Sequence, residues 1–99
     1  MQVHFAFQDG FANDDVIVRV NGREVIRESQ LKGQDPMLPI AAVRDIELEA
    51  TTGKVNVEIP SRGLSRSFDL DFRESPYVGI AIVGGDIAMR KSSRPFEYF

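Results

Sequence analysis

The sequence predicts an all-β fold: a single-domain antiparallel β-sandwich, immunoglobulin-like or jelly-roll-like, with roughly eight short strands. Three observations carry this. Apolar and polar residues alternate along most of the chain, no window sustains the 3.6-residue period of a helix, and turn-forming residues punctuate the alternation at short intervals. The 99 residues suit one compact core, and 42% apolar against 27% charged residues is the balance of a globular chain.

The predicted strands follow in order. Val3, Phe5 and Phe7 alternate with His4, Ala6 and Gln8, so the apolar set faces inward. Val16, Val18 and Val20 lead into Asn21-Gly22, the residue pair that a two-residue hairpin turn demands. That turn sets Arg19 opposite Glu24, Val18 opposite Val25 and Ile17 opposite Ile26, and makes Arg19, Arg23 and Arg27 surface charges of a ribbon. Residues 29–42, with Pro36 and Pro39, are too irregular for a strand; they are expected to cross between sheets with Met37, Leu38 and Ile40 against the core edge. Ile46, Leu48 and Ala50 precede Thr52-Gly53, and Val55, Val57 and Ile59 follow it. A second hairpin is therefore expected, pairing Ala50 with Val55, Leu48 with Val57 and Ile46 with Ile59. Turns at Ser61-Arg62-Gly63 and Ser75-Pro76 bracket the alternation of Phe68, Leu70 and Phe72. Gly84-Gly85 closes a last hairpin in which Ile82 faces Ile87 and Ile80 faces Met89.

That last hairpin supplies the candidate interaction surface. Its other face carries Gly79, Ala81 and Ala88, and a surface strand has little reason to hold three such small side chains unless another group approaches closely. The tail that follows Arg94-Pro95 ends on the aromatics Phe96, Tyr98 and Phe99, which are expected to cover this face from the same chain or from a neighbouring copy.

Several chemistries fit poorly. The lack of cysteine removes thiolate catalysis and thiolate metal sites, and points gently to a reducing, cytoplasmic setting. A lone histidine, His4, offers neither a metal cluster nor, without a nucleophile motif, a catalytic triad. Asp69 with Asp71, and Glu47 with Glu49, are spaced like paired glycosidase carboxylates, but outward acids at period two are the ordinary surface of a soluble sheet. The net charge of −3 opposes nucleic-acid binding, although Arg62, Arg66, Arg90, Lys91 and Arg94 could form a local basic cluster. No apolar run is long enough to span a membrane as a helix, and the N-terminus lacks the pattern of a signal peptide. The expectation is a non-catalytic module without cofactor that binds a protein partner or a second copy of itself as a homodimer. The alternative is a glycan- or calcium-assisted binding module using the oxygen-rich stretch Asp9, Asn13, Asp14 and Asp15, although that stretch lacks the spacing of an EF-hand.

Overall fold

A computed structural model describes residues 1–32 and 41–96. The described chain forms eight strands, β1 (Gln2–Phe7), β2 (Ala12–Val20), β3 (Arg23–Lys32), β4 (Ala42–Glu47), β5 (Thr52–Ile59), β6 (Leu64–Asp71), β7 (Tyr77–Val83) and β8 (Asp86–Ser92), with one 3-10 turn at Pro60–Arg62. They make two four-stranded sheets, β4-β1-β7-β8 and β3-β2-β5-β6. The expected core contacts of Met37, Leu38 and Ile40 lie outside the described residues, as do Tyr98 and Phe99.

One core joins the inner faces. Val3, Phe5 and Phe7 of β1 and Val78, Ile80 and Ile82 of β7 meet Val16, Val18 and Val20 of β2 and Val55, Val57 and Ile59 of β5. Phe5, Phe7 and Phe72 are fully buried, and each stabilises the fold by roughly 1.5–3 kcal/mol of transfer free energy. Phe11 is buried too, edge-on to Phe7 with ring centroids 5.8 Å apart.

The turns show where local sequence governs. Asn21 and Gly22 both have positive φ, 52° and 83°, and Gly84 and Gly85 likewise at 62° and 79°. Both hairpins form, and β7–β8 has the expected register, Ile82 with Ile87 and Ile80 with Met89. In β2–β3 the register begins as expected, Arg19 opposite Glu24, then shifts by one so that Val18 faces Ile26. The extra residue puts Glu24 and Arg27, three apart, on one face. Arg27 Nη2 donates to Glu24 Oε1 at 2.7 Å, and Arg19 instead engages Glu58 of β5.

Further expectations fail. Residues 29–32, expected in the irregular crossing, continue strand β3. The all-antiparallel arrangement breaks at β1 and β7, which run parallel, His4 beside Tyr77 and Phe7 beside Ile80. Alternation has the same period in either direction, so the pattern could not reveal this. The hairpin at Thr52-Gly53 does not exist: β4 pairs with β1 in one sheet, whereas β5 pairs with β2 and β6 in the other. Gly53 is absent from the positive-φ glycines and lies within β5; a Cβ there would sit 2.9 Å from the Asn21 side-chain amide. Asn21 needs that room because its Oδ1 accepts the Lys54 N–H at 3.0 Å while its own N–H donates to the Lys54 carbonyl. The glycine serves a close approach, not a turn.

Arginines close both long sides of the layers. Arg66 shares the inward parity of Leu64 and Phe68, lies over the Phe68 ring, and donates from Nη1 to the Ile87 carbonyl of β8 at 2.8 Å. Arg44 shares the parity of Ala42 and Ile46 and reaches Glu28 of β3, while its Nη1 donates to the Val43 carbonyl. Inward-pointing charges at sheet edges keep the edges from pairing with other chains.

Gly10 has φ 94°, and a Cβ there would lie 2.9 Å from the Ile82 Cβ and closer still to the Ile82 carbonyl oxygen. Gly84 faces open space. Gly10→Ala is expected to lower unfolding free energy by roughly 2–4 kcal/mol, against about 1 kcal/mol for Gly84→Ala, in denaturant titrations with unchanged slope. Equal losses at the two positions would contradict the close approach.

Candidate functional site

The oxygen-rich stretch around Asp14 is partly strand. Asp14 has the parity of Val16, Val18 and Val20, so its carboxylate turns inward, where it is 3% exposed. Arg62 grips it with both arms, Nε to Oδ1 at 2.8 Å and Nη2 to Oδ2 at 2.9 Å. The Ala12 N–H donates to Oδ2 at 2.8 Å and the Ser61 hydroxyl to Oδ1 at 2.9 Å. Arg62 Nη2 also donates to the Gly10 carbonyl at 2.9 Å. Bonding to Arg62 holds the Asp14 carboxyl well below its ordinary value, at about 2, against the opposing effect of burial; the Ala12 and Ser61 bonds add to the lowering. Both oxygens are thus engaged within the chain. Asp9, Asn13 and Asp15 are exposed; Asn13 has φ 60°, and Asp15 Oδ1 accepts the Gln30 N–H at 3.2 Å. Among the described residues, no three acidic or histidine side chains are grouped as a metal ion would need.

The small-residue face is the outer face of the β4-β1-β7-β8 sheet. Gly79 is buried, and a Cβ on it would lie 2.7 Å from Gln8 Oε1, so the glycine makes room for the Gln8 side chain. Ala81, buried, and Ala88, half-buried, face each other across β7 and β8. Phe96 is half-buried on this face, with the Arg90 guanidinium 5.5 Å from its ring centroid. With Pro95, His4, Ala6, Val43 and Tyr77 it encloses an apolar hollow of about 130 Å³. His4 stacks on Tyr77, ring centroids 4.6 Å apart, and its Nδ1 lies 2.5 Å from Asp45 Oδ1.

The Asp69/Asp71 pair and the basic residues have other neighbours. Asp69 sits opposite Lys54, and Asp71 is held by Arg73, whose bond lowers the Asp71 carboxyl from its ordinary value. Arg62, Arg66 and Arg90 are committed to Asp14, the Ile87 carbonyl and the Phe96 ring respectively.

One concavity was not legible as such. A cleft of about 630 Å³ opens where the β2–β3 turn of one sheet meets the end of β4 in the other. Val20, Val25, Ile46, Leu48 and Ala50 form its apolar part, and Glu24, Glu47 and Glu49 outnumber Arg23 around it. Glu24 is paired with Arg27, which lowers its carboxyl below the ordinary value, and the Glu47 carboxylate lies 3.0 Å from the Met1 amino group. The sequence assigned Glu47 and Glu49 to the outer face of a hairpin, and with that hairpin gone the same acids line a cleft. Their proximity to Glu24 depends on how the sheets are joined, which no spacing encodes.

The Asp14 carboxyl is depressed in the folded chain. Its stabilisation is therefore complete above the unfolded value near pH 4, and is lost as pH falls towards 2. By linkage the shift is worth about 2 kcal/mol. Asp14→Asn is expected to lower stability at pH 7 by roughly 2–4 kcal/mol, because Arg62 loses its counter-charge. The gap between the variant and the unaltered chain should narrow between pH 4 and pH 2. A gap that stays constant over that interval in denaturant titrations would contradict the assignment.

No protein-family model matches the chain, and no curated protein or solved structure is detectably similar to it.

Proposed function

We propose that the chain is a non-catalytic interaction module: a β-sandwich, of the broad kind that includes immunoglobulin-like and jelly-roll domains, whose recognition site for a protein partner is the cleft beside the β2–β3 turn. The single observation that carries the reading is the cleft itself. It combines an apolar floor with charged groups at its mouth, the composition of a surface that buries part of another polypeptide and orients it by charge. Its position also fits. It lies at one end of the two layers, where turns and strand ends from both sheets meet on a rigid scaffold, and binding groups concentrate at such ends.

A second copy as partner draws on a different surface. Val43 and Val83, 48% and 63% exposed, lie on the outer face of the β4-β1-β7-β8 sheet together with Ala88 and Phe96. Burying them against the same face of another copy would give a twofold dimer.

Site-specific photo-crosslinking in cells separates these. A benzophenone side chain in place of Glu49 is expected to trap a partner polypeptide, whereas one in place of Asp69 traps none. A product of twice the monomer mass of 11.1 kDa, formed from position 83 and not from position 49, would favour the homodimer. Absence of any trapped product from either position would overturn the interaction reading.

A further inference from the structure

We infer that the cleft receives an extended polypeptide segment carrying lysine or arginine beside an apolar side chain, added along the free edge of β4. The inference rests on the interaction reading above and names the partner's chemistry.

The edge comes first. Among the described residues β4 is an outer strand, bonded to β1 alone. The Leu48 N–H donates to the Met1 carbonyl at 2.8 Å, so by alternation Ile46 also turns its main-chain groups towards β1, while Asp45 and Glu47 turn theirs away. Arg44 occupies the Val43 carbonyl and reaches across to Glu28. Among the described residues the edge is therefore plugged at Val43 and open at Asp45 and Glu47, alongside the cleft. A strand laid there bonds to those two residues. Its side chains opposite Ile46 and Leu48 then point to the interior side, over the apolar floor.

Charge selects which strand. Glu24, Glu47 and Glu49 face the cleft against a single lining arginine, Arg23. Glu24 is paired with Arg27, and the 76% exposed Glu47 lies 3.0 Å from the Met1 amino group; both are exposed surface pairs into which an incoming lysine or arginine can exchange. Lysine or arginine suits this surface twice over. The long stem covers apolar surface while the head meets a carboxylate at the rim. An acidic strand would meet like charge at each of these positions, and a purely apolar one would leave the rim without a partner.

The probe is a fluorescent hexapeptide alternating lysine and valine, blocked at both ends, titrated into the full chain and followed by anisotropy. Binding is expected, at least ~tenfold tighter than that of the glutamate-valine counterpart, and weakening when salt is raised well above physiological strength. Glu47→Lys with Glu49→Lys should weaken it at least ~tenfold. Asp9→Lys with Asp69→Lys, the same change in net charge away from the cleft, should alter it by less than ~twofold. N-methylation of the amides on one register should abolish binding, because it removes the edge hydrogen bonds. Both comparisons between peptides use the unaltered chain, so they stand even where a variant folds poorly. The proposal is overturned by no binding, by equal binding of the glutamate peptide, by equal loss in both pairs of variants, or by indifference to N-methylation. A partner trapped from position 49 while the lysine peptide fails to bind would sink the cationic segment alone and leave the interaction reading standing.

Discussion

A carboxylate on the core side of a strand governs one end of this molecule. Asp14 continues the inward series of Val16, Val18 and Val20, and an ionised group there is tolerable only if every lone pair directed into the protein is met. Arg62, the Ser61 hydroxyl and the Ala12 N–H meet them. The Pro60–Arg62 turn must therefore stand against the start of β2, and this fixes where the β5–β6 connection lies relative to the crossing from β1 to β2. Through Arg62 the same contact holds Gly10, whose positive φ brings the chain onto Ile82 of β7. One charged pair thus ties together both sheets at that end.

The two long sides are closed by the same device. Arg66 and Arg44 occupy inward parities near strand edges, where a hydrocarbon stem can lie against the core and a guanidinium can still reach a polar partner across the gap. Arg66 meets a main-chain carbonyl of β8, so it also blocks part of an edge that another strand could use. With four outer strands among the described residues, such groups join the layers laterally and discourage promiscuous pairing.

These devices bear on what could be read from the residues. Alternation and turn chemistry suffice for the class, the strand count and the hairpins at Asn21-Gly22 and Gly84-Gly85, since these are short-range consequences of parity and positive φ. Parity also carried a signal that went unread. Asp14, Arg44 and Arg66 each share a face with aliphatic neighbours, and an acid or arginine in such a series requires a partner. What stayed hidden was the role of two glycines. Gly53 reads as a turn residue and Gly79 as part of a face for an approaching tail or neighbour, yet each yields space to an amide side chain, Asn21 and Gln8, from a different strand or loop. That contact exists only once the layers are assembled. The split of β4 from β5, and with it the cleft, is invisible for the same reason: the apolar series through Ile46, Leu48 and Ala50 suits a hairpin and a change of sheet equally well.

The open stretch of β4 then follows from the closures elsewhere. Asp14 with Arg62 closes one end of the layers, Arg66 one long side, and Arg44 the other long side as far as Val43. Beyond Val43 the edge relies on carboxylates, and these discriminate in a way that a guanidinium bonded to a carbonyl does not. A second copy offering its own β4 would set Asp45 and Glu47 against the same acids, so direct pairing of like edges is opposed by charge repulsion. Any acidic strand meets the same penalty and a neutral one gains nothing from the carboxylates, whereas, on the proposed reading, a basic strand gains from them. On the proposed reading, edge protection and partner selection are one electrostatic arrangement, since a surface discriminates by what it repels as much as by what it attracts.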